Sequence, residues 1–126
     1  LARIMLALKN VLAENEAIGT LVFDEVDTGV SGRAAQRVAE KMARISRCKQ
    51  VLCVTHLPQL AAMADTHFSV EKGERKGRTF THVILLDREA RKAELARLTG
   101  GTKVTPALLE SAGELLDEAE AYRKNL

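Results

Sequence analysis

Two adjacent carboxylates and one imidazole carry most of the chemistry open to this chain. Asp24 and Glu25 follow the apolar run Thr20-Leu21-Val22-Phe23, and His56 follows Val51-Leu52-Cys53-Val54-Thr55. A short apolar run fixes a strand within a sheet, so the polar residues ending it are held rigidly. An Asp at such an end can hold Mg²⁺, directly or through water, beside nucleotide phosphates. A Glu one residue further can take a proton from an attacking water. An imidazole ending the neighbouring strand can hydrogen-bond a phosphate and respond to its loss. Each feature has a plain structural alternative: acids that end a strand at the surface, or a histidine held for packing. Two such strand ends about thirty residues apart, joined through one crossover, favour the chemical reading.

The elements that must position these groups follow from periodicity. Leu1, Ile4, Leu8 and Leu12 have helical spacing, so a helix is expected over about residues 1–14. No capping residue precedes it, and the chain therefore reads as a piece of a longer protein. Residues 20–23 and 50–54 read as strands buried on both faces. Between them Asp27 to Gly32 is a loop, and Ser31 is a fair N-cap for a helix over about 32–46. Ala35, Val38, Ala39, Met42 and Ile45 form the apolar stripe of that helix. Strand, helix, strand implies a right-handed crossover and a parallel pair, with chemistry gathered at the carboxyl ends. A short helix over 57–65 tolerates Pro58 in its first turn.

Beyond residue 66 the pattern changes. Residues 67–71 and 79–86 alternate like half-exposed strands, and 72–78 reads as the hairpin loop between them. A basic helix over 88–98 ends at Gly100-Gly101. Thr105 caps a last helix that starts at Pro106 and buries Leu108, Ala112, Leu115, Ala119 and Tyr122.

The composition fits this picture. The 126 residues suffice for one domain, with 46% hydrophobic and 29% charged residues, which excludes a disordered tail. Nineteen basic against seventeen acidic residues leave +2, too little for a polycation that coats nucleic acid. No apolar run approaches the roughly 18 residues of a membrane span, and the first residues do not form a signal peptide. Cys48 and Cys53 are about 16 Å apart along an extended chain, too far to bridge, so a reduced, cytoplasmic chain is expected.

An apolar strand ending in Asp-Glu is the Walker B pattern. Leu21-Val22-Phe23-Asp24-Glu25-Val26-Asp27-Thr28-Gly29-Val30-Ser31-Gly32 resembles the Walker B and D-loop of the RecN family, bacterial DNA repair ATPases of the SMC-like ABC class. Val54-Thr55-His56-Leu57-Pro58-Gln59 resembles the family's switch-histidine loop, and residues 1–9 resemble the helix after the ABC signature. The resemblance covers nearly the whole chain. It implies an α/β fold, part of a P-loop NTPase of the ABC head type, with residues 1–126 as its C-terminal lobe. It implies that Asp24 is the Mg²⁺-associated acid, Glu25 the catalytic glutamate and His56 the switch histidine. Asp27, Thr28, Gly29, Val30 and Ser31 would form the D-loop at a dimer interface. ATP and Mg²⁺ would be the cofactors. The N-terminal lobe of the same protein, a second head and DNA would be the partners, in a cytoplasmic, nucleoid-associated protein. Ser31 departs from the Asp of many transporter-type relatives.

Two decoys fail. Gly73-Glu74-Arg75-Lys76-Gly77-Arg78-Thr79 has three residues between its glycines rather than four, and Arg where a P-loop needs Lys. The Walker A and signature would thus lie outside this chain, which alone is expected to be inactive. Asp27-Thr28-Gly29 matches the aspartic protease tripeptide, but that chemistry needs a mostly β fold and two such Asp residues. The basic residues of 72–97, Arg75, Lys76, Arg78 and Arg91 among them, read as a solvated surface rather than a DNA-binding one. Arg75, Lys76 and Arg78 are the nucleic-acid candidates if that surface binds at all. A silent dimerisation lobe and the head of another SMC-like or ABC ATPase are the rival readings.

Overall fold

The computed structural model describes residues 17, 19–24 and 29–126. The expected opening helix, Glu25, Asp27 and Thr28 lie outside the described residues. Strand β1 (Thr20–Asp24) is followed by helix α1 (Gly32–Ile45), strand β2 (Gln50–Val54) and the short helix α2 (Pro58–Met63). Strands β3 (Phe68–Arg75) and β4 (Arg78–Leu85) then form a hairpin. Helices α3 (Arg88–Gly100) and α4 (Pro106–Lys124) complete the chain. β1 and β2 pair in parallel, Thr20 opposite Gln50 through Asp24 opposite Val54, as the crossover pattern requires. β3 and β4 pair antiparallel in a separate sheet.

Among the described residues, the parallel pair is covered on one face. Leu21 and Phe23 are buried and Val51 is half-buried, while Val22, Leu52 and Val54 on the opposite face are exposed. The expectation that both strands are buried on both faces is therefore corrected. Successive side chains of a strand point to opposite faces, and α1 lies against one of them. The stripe Ala35, Val38, Ala39, Met42 and Ile45 is buried as periodicity dictates.

The core centres on α2, whose residues Leu60, Ala61, Ala62 and Met63 are all buried and which packs against α1, α3 and α4. Leu95 and Ala96 of α3 and Ala112, Leu116 and Ala119 of α4 close this core. Leu116 is the deepest leucine of α4, and Leu115 is only half-buried. Asp87 caps α3 by accepting from the Ala90 amide at 2.8 Å, and Thr105 caps α4 by accepting from the Leu108 amide at 3.2 Å. Ser31 holds the N-cap position of α1 in an extended conformation, but its hydroxyl makes no capping bond. Where α3 meets α4 the approach is close: a side chain at Gly100 would run into Leu108.

The hairpin is longer than its sequence suggests. Residues 72–75 belong to β3 rather than to a loop, and the connection is only Lys76-Gly77. Both have positive φ, 52° and 73°, the backbone of a type I′ turn whose twist matches that of the strands it joins. Charged residues extend the strands because the hairpin projects from the body and water reaches both of its faces.

Candidate functional site

The parallel register decides how the chemical groups lie. Asp24 ends β1 and sits opposite Val54, the last residue of β2. His56 follows two residues later, so the carboxylate and the imidazole share one end of the pair, and both are exposed. Asp24 lies on the open face with Val22, Leu52 and Val54, because residues 20, 22 and 24 alternate with the buried 21 and 23. An exposed carboxylate oxygen at a strand end is a hard donor suited to Mg²⁺, which needs few protein ligands and keeps several waters. Among the described residues, no three His, Cys, Asp or Glu side chains cluster as a metal site.

The loop carrying His56 is short and anchored. The Leu57 amide donates to Thr55 Oγ1 at 3.0 Å, and the Ala61 amide donates to the Leu57 carbonyl at 3.1 Å. Pro58 then opens α2, where its missing N–H costs nothing. On the other strand end, Gly29 has a φ of 73° and Val30 is 6% exposed within the core. Of the described residues in the expected interface loop, Gly29 and Ser31 are therefore the exposed ones.

Sequence reading missed a group of charges behind this loop. Arg91, expected in a solvated surface, is half-buried and donates from Nη2 to the carbonyls of Ala61, Ala62 and Ala64 at 3.0, 3.2 and 2.9 Å. Arg123 Nη1 donates to the Ala62 carbonyl at 3.1 Å. Asp65, just past α2, pairs with Arg123 at 3.4 Å and with Arg47 at 3.5 Å. Burial lowers the pKa of Arg91 from the ordinary guanidinium value, and the nearby Arg123 and Arg88 act in the same direction, with Asp65 opposing. A signal was present: Arg91 stands four residues before the buried Leu95, on the inward stripe of α3. His67, at the root of the hairpin, is held below its ordinary pKa by burial and by Arg91, against the pull of Glu94. Arg75, Lys76 and Arg78 lie at the exposed hairpin tip, where Arg75 faces Arg78 and Phe80 adjoins them.

Cys48 and Cys53 are exposed and not joined by a disulfide. No helix among the described residues is long and apolar enough to cross a membrane.

No family profile matches the chain. Individual relatives do. It is 49% identical over 99% of its length to the DNA repair protein RecN of Halalkalibacterium halodurans, covering 22% of that protein. It is 48% identical over 98% of its length to RecN of Bacillus subtilis, covering 21%. With RecN of Deinococcus radiodurans the identity is 47% over 92% of the chain, covering 20%. The chain thus spans about a fifth of the length of the curated relatives it matches. A solved chain from a study of ATP-driven dimerization and DNA-stimulated activation of SMC ATPases superimposes with a TM-score of 0.64 at 22% identity. The match covers 81% of this chain and 61% of that one and shows a shared fold.

Proposed function

The chain belongs to the RecN family of DNA repair proteins, and from that premise we propose that it is the C-terminal lobe of an SMC-like ATPase head. In this reading the intact protein hydrolyses ATP between two heads and couples this to the repair of DNA double-strand breaks in the cytoplasm. The observation that carries the reading is the shared end of the parallel pair: Asp24 and the Thr55-His56 loop lie on adjacent strand ends, each following an apolar strand. That is where α/β sheets gather their ligands.

The roles follow from side-chain chemistry. Bound Mg²⁺ would neutralise charge on the phosphates of ATP. Asp24 supplies a carboxylate oxygen to hold the ion, directly or through water. Glu25 accepts a proton from the attacking water as it reaches the γ-phosphorus. His56 donates a hydrogen bond to a γ-phosphate oxygen and loses that contact when phosphate leaves. The loop from Asp27 to Ser31 faces the second head. The apolar face of Val22, Leu52 and Val54, which water reaches in this chain, is a surface for the N-terminal lobe, which would bring the P-loop.

The test is Glu25→Gln in the intact protein. Glutamine keeps the shape of glutamate but accepts no proton at neutral pH. Turnover is expected to fall about 10²–10⁴-fold, the usual worth of a positioned base. ATP should still bind and hold the heads together as a dimer on a sizing column. Normal hydrolysis by this variant would leave a silent assembly lobe as the better reading. The chain alone is expected to show no ATP turnover above background.

A further inference from the structure

We propose that Arg91, backed by Arg123, is a positioning residue for His56, acting through the short helix α2. The inference rests on the reading that His56 acts in ATP hydrolysis.

Six residues form fewer than two turns, and a helix that short has no stability of its own. The last carbonyls of a helix lack intrahelical partners, and here that of Ala61 takes one cap bond, from the Ala64 amide at 3.3 Å. Arg91 answers both needs. A single terminal nitrogen, Nη2, donates to three carbonyl oxygens at and just past the end of α2, at 2.9–3.2 Å, its two N–H groups shared among them. Arg123 adds a second guanidinium on Ala62. Two positive charges at a helix C-terminus also oppose its partial negative charge. Arg91 comes from α3 and Arg123 from α4, so α2 is held in place by both C-terminal helices.

The opposite end of α2 carries the histidine. Leu57 occupies its N-cap position, and the Leu57 amide is tied back to Thr55, so His56 sits between two anchored residues. With Leu60 to Met63 all buried, α2 moves as a unit or not at all. A shift of its C-terminal end therefore travels to His56. A misplacement of about 1 Å in a reacting group can cost up to 10²-fold in rate, which is the scale on which this support acts. Lysine also places several N–H donors on one nitrogen, but its ammonium is more strongly hydrated and sits on a flexible stem, so it replaces the contact only in part.

The experiment is a double-mutant cycle in the intact protein, reading single-turnover ATP hydrolysis and the affinity for a fluorescent ATP analogue. Arg91→Gln is expected to slow hydrolysis on the order of tenfold, within the range that misplacement sets, with affinity unchanged. Arg91→Lys should fall between Arg91→Gln and the native protein. In a His56→Ala background, Arg91→Gln should cause no further loss, because the group it positions is gone. An equal loss in both backgrounds would mean general damage to the fold and would overturn the proposal, as would normal hydrolysis by Arg91→Gln where His56→Ala is slow. If Arg91→Gln does not fold, the Arg91→Lys cycle is read by the same criteria. Normal hydrolysis by His56→Ala itself would instead strike the reading of the histidine, a failure distinct from that of the coupling, and the inference would fall with it.

Discussion

The described residues form two sheets of two strands, and these are built on opposite terms. The parallel pair β1–β2 needs a crossover helix, which packs on β2, and Leu21 and Phe23 on one face of the pair are buried in the core. The hairpin β3–β4 needs only the Lys76-Gly77 turn and leaves Phe68, Val70, Val83 and Leu85 exposed on one face. The parallel pair therefore owes its position to tertiary packing, and the groups at its carboxyl end inherit that rigidity. The hairpin owes its shape to local turn chemistry, and its cationic tip projects without support from the body. Precise chemistry belongs where packing sets the geometry, and under the proposed function that is the end bearing Asp24 and His56.

The contrast can be broken by mutation. The largest effect should come from Phe23→Ala, which empties a core site 3% exposed and should cost about 3–5 kcal/mol. Chemical unfolding of the chain measures it, and a cost below 1 kcal/mol would mean that the pair is not anchored by packing. In the intact protein, His56→Ala should slow hydrolysis about 10²-fold, the usual worth of one preorganised donor, with ATP affinity retained. A collapse of affinity at a normal rate of hydrolysis would remove the switch role. Gly77→Ala forces a side chain into a left-handed conformation and should cost about 1–2 kcal/mol, felt in the melting of the hairpin. Val83→Thr, at a residue 65% exposed, should stay within about 0.5 kcal/mol in the chain alone. A larger loss there would show that the body does support the hairpin.

The mildest test is by pH, at the root of the hairpin. The pKa of His67 is lowered in the folded chain from its ordinary 6.5, first by burial and then by Arg91. The unfolded chain therefore takes up this proton first as pH falls. The contribution is intact above 6.5 and declines as pH drops through 6.5 toward the lowered folded value. The difference between the unfolding midpoints of the native chain and of His67→Gln should be constant above 6.5 and shift against the native chain as pH falls through that window. Parallel curves would mean that His67 is not the group responsible.

Local pattern made much of this chain legible. The stripe of α1, the Pro and Thr that open α4 and the parallel order of the first two strands all follow from spacing and capping chemistry. Residues 72–75 were misread because an exposed strand has no buried face to impose alternation, and its charges look like those of a loop. Arg91 was misread for the opposite reason. Charge argues for solvent, and the carbonyls of Ala61, Ala62 and Ala64 at the end of another helix give a guanidinium cause to turn inward.

The sequence by itself determined which groups can do chemistry and that they end neighbouring strands, because apolar runs and the carboxylates or imidazole that stop them are properties of contiguous residues. Only the tertiary structure decided which face of β1–β2 is covered, that the hairpin stands clear of the core, and that two arginines from α3 and α4 converge on α2. Those outcomes join residues thirty to sixty positions apart. Each depends on which carbonyl or apolar face packing leaves within reach; local spacing puts Arg91 on the inward stripe of α3 but does not name its partners.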